Sequence, residues 1–286
     1  MTSAQPTAPG VASGRLVCLD IDGTIADSNG TVSGAVATAI RELSDRGTHI
    51  VLATGRSLVA TVPVFDQLDI DGYAVCSNGA LTARVTGPSR RADVIEVVTF
   101  DSAALLGRLG ALIPDASVAV EGSWLGFRVN REFPPGDLMG PSEVVGWARL
   151  ATLDAIRVTI RAANGVAEEL MTLLRELGVH SAGYDVLGRG WVDITPPGVS
   201  KATALENVRR LLGVEAEATY ACGDQLNDME MLSWAAHSVA MGGSPPGLQA
   251  VAGRVGGSVE DDGVLALLGP LLDDSRSPGD AACGAR

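Results

Sequence analysis

The strongest constraint on this chain is a rhythm of short apolar runs and helical patterns that starts, breaks off and later resumes. Leu16 to Ile21 reads as a strand, Val36, Ile40 and Leu43 mark one face of a helix, and His49 to Thr54 reads as a second strand. A helix from about Ser57 to Leu68 and a strand from Tyr73 to Ser77 follow. The rhythm returns at Ser200 with a helix to Leu212, a strand over Ala218 to Gly223 and a helix near Asn227 to Ala235. A strand at Ser238 to Met241 and a helix from Val264 to Leu272 close it. Alternating strands and helices of this kind predict a three-layer α/β core, a mostly parallel sheet with helices on both faces.

Between about Thr82 and Ile194 the pattern changes to alternating strands and holds an approximate duplication. Val94 to Phe100, a helix over Leu105 to Leu112 and a hairpin over Ser117 to Asn130 form one β-α-β-β unit. Ala155 to Arg161, a helix over Val166 to Leu177 and His180 to Ile194 form the other. Such units predict an α+β cap, residues 82–194, inserted between core halves 15–81 and 195–273, with a cleft between domains where small ligands bind. Hinges for cap closure are expected near Gly79 to Leu81 and Thr195 to Gly198. Residues 1–14 and 274–286, rich in small and polar residues without periodicity, read as flexible ends.

A formal charge of -13 with scattered acidic residues leaves no basic footprint for nucleic acid or an anionic membrane, so small molecules are the expected partners. No apolar run is long enough to span a bilayer and no signal peptide pattern is present, which predicts a cytoplasmic protein. Cys18, Cys76 and Cys222 lie in strand-like runs and no CxxC pair exists, so reduced buried thiols are expected. Oligomeric state is not legible.

In parallel α/β sheets ligands bind beyond the carboxyl ends of the strands. Here those ends are polar: Asp20-Ile21-Asp22-Gly23-Thr24, Thr54-Gly55-Arg56-Ser57, Ser77-Asn78-Gly79, and Gly223-Asp224-Gln225-Leu226-Asn227-Asp228. Asp20 and Asp22 are two apart, so their side chains fall on one side of an extended chain, Cα atoms about 6.6 Å apart. An aspartate ionised at neutral pH can attack phosphorus directly, which suits Asp20, while Asp22 can serve as general acid and then general base. A phosphate dianion near Asp20, Asp22, Asp224 and Asp228 is repelled, since unit charges about 4 Å apart interact by roughly 4 kcal/mol at an effective dielectric of about 20. Clustered hard oxygens suit magnesium, with Asp20, Asp224 and the Asp22 backbone carbonyl as ligands. Lys201 at a helix start adds positive charge, and Thr54 and the Gly55 amide can hold phosphoryl oxygens.

With these segments the chain resembles the haloacid dehalogenase superfamily, within it the Cof-like hydrolases. LDIDGTIADS is similar to the first motif, LATGRS to the second, Lys201 within PPGVSKATAL to the third and CGDQLNDMEML to the fourth. The SNGA, SVAMGGS and EDDGV segments resemble the same group. The resemblance implies a Rossmann-like core with a cap between the second and third motifs, Asp20 as nucleophile, Asp22 as acid and base, and magnesium on Asp20, Asp22 and Asp224. It also implies phosphate held by the Ile21 backbone, Thr54, Gly55, Lys201 and Asn227, with Asp228 behind them or orienting Lys201. Arg56 and Asn78 are candidate substrate contacts, and Asn78, Trp124, Arg128, Asp185 and Trp191 are candidates to face the cleft.

The expected function is magnesium-dependent hydrolysis of a small phosphate monoester, of the sugar phosphate, nucleotide, flavin or pyridoxal phosphate class, through an aspartyl phosphate. A phosphomutase acting on sugar phosphates is the alternative enzyme. From another class, a small-molecule-binding regulator on a lapsed scaffold is the third reading, and it would be expected to lack one of Asp20, Asp22, Lys201 or Asp224, all of which are present.

Overall fold

The computed structural model describes residues 14–123, 125–162, 168–177, 179–186 and 189–274. The expected flexible ends, apart from residues 14 and 274, therefore lie outside the described residues, as do Trp124 and the side chain of Asp185. In chain order the elements begin with β1 (Leu16–Leu19), α1 (Gly34–Asp45), β2 (His49–Ala53), α2 (Leu58–Leu68), β3 (Gly72–Cys76), β4 (Leu81–Thr86) and β5 (Arg91–Val97). Next come β6 (Phe100–Asp101), α3 (Ala103–Leu112), β7 (Ser117–Gly122), β8 (Gly126–Val129), β9 (Ser142–Val144), α4 (Trp147–Leu150), β10 (Asp154–Ala155) and β11 (Arg157–Ala162). The chain continues through α5 (Glu168–Glu176), β12 (His180–Val186), β13 (Arg189–Thr195), α6 (Lys201–Leu212), β14 (Thr219–Gly223) and α7 (Met229–Trp234). It ends with β15 (His237–Ala240), α8 (Pro246–Val251), β16 (Arg254–Val255) and α9 (Leu265–Asp273).

The core sheet runs β16-β15-β14-β1-β2-β3-β4-β5, parallel from β16 to β3 and antiparallel over the last two pairings. β1 shows why its strands are apolar throughout. Val17 and Leu19 pack into one buried cluster with α1, α2 and α9, while Leu16 and Cys18 pack into a second with α6 and α7. A strand covered on both faces has no side on which a polar residue is tolerated, so the polar residues collect at its ends. The thiols of Cys18, Cys76 and Cys222 are free and buried, and burial holds each well above the ordinary thiol range.

A second sheet runs β12-β13-β11-β7-β8-β9, antiparallel apart from the β8 and β9 pair. Its strands alternate. Val118, Val120, Val158, Ile160, Val192 and Ile194 pack beneath α3 and α5. The intervening residues, Ala119 and Glu121 on β7, Arg157 and Thr159 on β11, and Trp191 and Asp193 on β13, fall on the other face by the two-residue period. The second expected β-α-β-β unit corresponds to β11, α5, β12 and β13.

The first unit needs correction at its start. The strand expected over Val94 to Phe100 is divided: residues through Val97 belong to β5 in the core sheet, and Phe100 opens a separate two-residue pairing with β10. Residues 81–97 form a hairpin turned at Gly87 to Arg90, and they extend the core sheet past β3 rather than joining the cap. Alternation in a sequence marks a strand without stating which sheet it joins. The expected hinge at Gly79 to Leu81 falls inside the core sheet at its Leu81 end. Leu81 is paired with Cys76, and Gly79 runs so close to Ser200 that a Cβ there would stand 2.2 Å from the Ser200 carbonyl oxygen. The chain leaves the core sheet after Val97.

Candidate active site

The carboxyl ends of β1, β2, β3 and β14 meet on one rim, and each delivers a polar loop. Asp20 follows β1 directly and donates its amide to the Cys222 carbonyl at 3.0 Å, which seats it beside β14. The chain then turns: the Ile21 carbonyl accepts from the amides of Thr24, Ile25 and Ala26, and Gly23 takes a φ of 78°. A side chain at Gly23 would be strained by that φ, and its Cβ would meet the Asp224 carboxylate at 2.4 Å. This close approach lets the first and last acidic segments share one site.

Lys201 is the first residue of α6, whose N-terminus is capped by Ser200 and Thr203 through reciprocal hydrogen bonds. Its side chain is fully buried and its ammonium donates to Asp20 Oδ1 and Asp228 Oδ1, each at 2.6 Å. Asp228 Oδ2 accepts the backbone amides of Asp224 and Gln225, each at 3.0 Å, so both of its oxygens are engaged. Asp224 is half-buried and takes a Thr24 hydroxyl at 3.4 Å and the Gln225 amide group at 3.1 Å.

Two carboxylates therefore share one ammonium, and a third, that of Asp224, lies beside them. Burial pushes the Asp20 carboxyl well above the usual range; Lys201 opposes this, and Asp228 and Asp224 add to it. Burial, then Asp228, raises Asp224 to about 6. Burial disfavours charge on Lys201, yet Asp20 and Asp228 outweigh it and hold the ammonium above its ordinary range. The surplus negative charge fits a divalent cation, and the oxygens of Asp20, Asp224 and Asp228 lie within 4.8 Å of one another. Asp228 is already occupied by Lys201 and two amides, so the carboxylate donors that fit a magnesium ion are Asp20 and Asp224.

The loop after β2 is tied to the loop after β3. Thr54 is buried; its hydroxyl accepts the Arg56 amide at 3.0 Å and its carbonyl accepts the Asn78 amide at 3.0 Å. Arg56, a candidate substrate contact, is engaged in a two-point pair with Asp22, Nη2 to Oδ1 at 2.5 Å and Nε to Oδ2 at 2.8 Å. That pair fixes the direction of the Asp22 carboxylate at the mouth. Asn78, the other candidate contact, is buried between the amide of Asn227 and the carboxylate of Asp193.

Above the rim lies a cavity of about 700 Å³. Asp20, Asp22, Thr54, Gly55, Asp224 and Asn227 form its floor, and Phe127, Leu138, Met139, Arg157, Thr159 and Trp191 form its roof. Lys201, Asp228 and Ile21 stand behind the floor, buried. Of the cleft candidates, Trp191 lines the cavity, whereas Arg128 pairs with Glu143 at 3.0 Å on the neighbouring strand. Trp191 also meets Phe133 edge to face, ring centroids 6.3 Å apart.

Sequence reasoning missed a buried ionic group in the cap sheet. Arg157 stands directly opposite Glu121, and Thr159 opposite Asp193. The Arg157 guanidinium bonds Glu121 at 2.8 Å, Asp193 at 3.0 Å and the Gly55 carbonyl across the cleft. Glu121 also accepts the Ser77 hydroxyl at 2.9 Å, and Ser57 donates to the Met139 carbonyl at 2.9 Å. The signal available was that Glu121, Arg157 and Asp193 each fall on the face of their strand opposite the apolar one, a pattern that ordinarily marks a solvent face.

The fold and the site define an α/β protein with an acidic, cation-fitting centre at the strand ends and an α+β cap above it. The family pattern for haloacid dehalogenase-like hydrolases matches residues 17–102 and 148–268, more than half of the chain, and the chain belongs to that family. The unmatched interval includes Glu121, Phe127, Leu138 and Met139 of the cap. Among similar proteins, the HMP-PP phosphatase of Serratia proteamaculans is 27% identical over 252 residues, covering 83% of this chain and 87% of that protein. The 5-amino-6-(5-phospho-D-ribitylamino)uracil phosphatase YitU of Bacillus subtilis is 26% identical over 267 residues, covering 88% and 96%. A haloacid dehalogenase-superfamily phosphatase structure from Bacteroides thetaiotaomicron has a TM-score of 0.72 at 26% identity and covers 93% of this chain and 99% of its own. Among the described residues no helix is long and apolar enough to cross a membrane.

Proposed function

We propose that this enzyme is a magnesium-dependent phosphatase that hydrolyses small-molecule phosphate monoesters through a phosphorylated Asp20. The observation that carries the reading is the Asp20 carboxylate on the cavity floor, with one oxygen fixed 2.6 Å from the Lys201 ammonium. An ester entering beneath the cap presents phosphorus to the other oxygen of Asp20. Once substrate has separated Asp22 from Arg56 and the carboxyl has taken up a proton, the bond from Asp20 to phosphorus forms as the ester oxygen leaves with that proton, and Asp22 then takes a proton from the water that cleaves the acyl phosphate. Asp20, Asp224 and the Asp22 backbone carbonyl would hold magnesium, which would neutralise charge as the dianion approaches. The Ile21 and Gly55 backbone, Thr54, Lys201 and Asn227 hold the phosphoryl oxygens.

The relatives named above act on phosphate compounds by their names, and one of those names specifies a uracil derivative. The roof here, with Phe127, Met139 and Trp191, suits a leaving group with a planar or apolar part. The test is phosphate release with magnesium across sugar phosphates, nucleotides, flavin mononucleotide and pyridoxal phosphate. Free phosphate from at least one class, lost in Asp20→Asn, is expected. Isomerised sugar phosphate without free phosphate would instead establish a mutase.

A further inference from the structure

Asn78 is held in an unusual position. Ser77 and Asn78 both take left-handed backbone conformations, φ 50° and 55°, and the Asn78 side chain is buried at the junction of three loops and the cap sheet. Two consecutive residues other than glycine in this region are strained, and Asn tolerates it better than most. Its carboxamide Nδ2 donates to Asp193 Oδ2 at 3.3 Å, and its Oδ1 accepts Asn227 Nδ2 at 3.0 Å. Asp193 in turn is fixed by Arg157 on the same oxygen at 3.0 Å and by the Thr159 hydroxyl on the other at 2.7 Å.

The direction of these bonds follows from chemistry. A carboxylate only accepts, so the group that Asn78 turns toward Asp193 must be its NH2, and its carbonyl oxygen must then face Asn227. Asn227 is thereby compelled to turn its own NH2 toward Asn78. An amide NH2 has two donor hydrogens; one goes to Asn78, and Asn227 lines the cavity floor, where the other is available to a phosphoryl oxygen. Glu121, Arg157 and Asp193 expose only 2%, 6% and 1% of their surface, so water does not compete for the ordering. Without an acceptor at position 193 nothing would hold the Asn78 NH2 on the cap side, and Asn227 would be free to present its oxygen, an acceptor facing an anion.

We infer that Asp193 of the cap is a positioning residue for phosphoryl binding, acting through Asn78 to fix Asn227 with a donor facing the phosphate. The cap thus sets part of the polarity of the floor beneath it, in addition to enclosing the substrate. This rests on the phosphatase reading through the role given to Asn227.

The test is a double-mutant cycle on p-nitrophenyl phosphate with magnesium, a substrate whose release also checks the wild-type activity separately. D193A, which removes the acceptor, should lower kcat/KM by about tenfold to a hundredfold, the range for displaced groups that orient a site. In an N227A background the same change should cost less than about twofold, because the relay then ends on nothing. D193N keeps an oxygen where Arg157 requires an acceptor, so it still takes the Asn78 NH2 and should stay within about threefold of wild type. Equal losses from D193A in both backgrounds, a D193N protein no better than D193A, or an N227A protein as active as wild type would each overturn the inference. Should the variants fail to fold, an atomic-resolution crystal structure of the wild type with vanadate decides it: Asn227 Nδ2 facing a vanadate oxygen is expected, and Asn227 Oδ1 in that place contradicts it. A wild type inactive on every phosphate ester would refute the phosphatase reading itself.

Discussion

The floor and the roof of the cavity are built on opposite rules. On the floor, Asp20, Thr54, Asp224 and Asn227 follow the carboxyl ends of buried parallel strands, where the polar residues of a whole layer converge. In the roof, Arg157, Thr159, Trp191 and Asp193 are alternate residues of an antiparallel sheet whose other face is covered by α3 and α5. The floor concentrates negative charge that a cation must offset, whereas the roof neutralises most of its charge internally through Arg157, Glu121 and Asp193. The reaction is therefore assigned to the floor, and selection among leaving groups to the roof.

The largest effect that can break this division is at Asp20. Asp20→Asn should lower kcat by about a thousandfold or more, as loss of a covalent nucleophile does. The same change should raise the melting temperature of the metal-free protein, because it removes a carboxylate whose ionisation the buried site opposes. Phosphate release and a thermal melt in chelator measure the two. Lys201→Met comes next. It leaves Asp20 and Asp228 buried without their cation and should cost about 3–5 kcal/mol of stability, read by urea unfolding, together with activity.

Trp191→Ala or Phe127→Ala in the roof should act more mildly and selectively. KM for a ring-bearing phosphate should rise by about tenfold while kcat changes little, since an aromatic contact of this kind contributes about 0.5–1.5 kcal/mol beyond area burial. A uniform loss across every substrate would erase the proposed distinction between roof and floor.

The smallest effect concerns pH. Asp224 titrates near 6, above its unfolded value, so between about pH 4 and 6 the folded chain binds the extra proton. From this group, acidification through that window stabilises the metal-free fold, and the contribution is lost as pH rises through about 6. The same protonation competes with magnesium, so calorimetric affinity should be about tenfold weaker at pH 5 than at pH 7.5. An affinity independent of pH across this range would remove Asp224 from the metal site.

These differences explain what the sequence could reveal. The core order, the strand-end segments and the second β-α-β-β unit were legible because apolar runs and their polar ends are local signals. The sheet joined by Val94 to Val97 was not, because pairing between β4 and β5 is a tertiary choice. Glu121, Arg157 and Asp193 were overlooked for a related reason. Charged residues opposite the apolar face of a strand are what a solvent face would show, and only the docking of the cap over Gly55, Ser77 and Asn78 buries them. Arg56 and Asn78 were found as residues of the rim, but the partners that engage them, Asp22 and Asp193, are distant in sequence.

The central claim is that Asp20 itself carries the phosphoryl group. The direct measurement is acid quench during turnover, borohydride reduction of the acyl phosphate and mass spectrometry of the peptide containing residues 16–41. Conversion of Asp20 to homoserine, dependent on substrate and magnesium, is the predicted result. Full-rate phosphate release with no label at Asp20, or with the label on another carboxylate, would contradict the account.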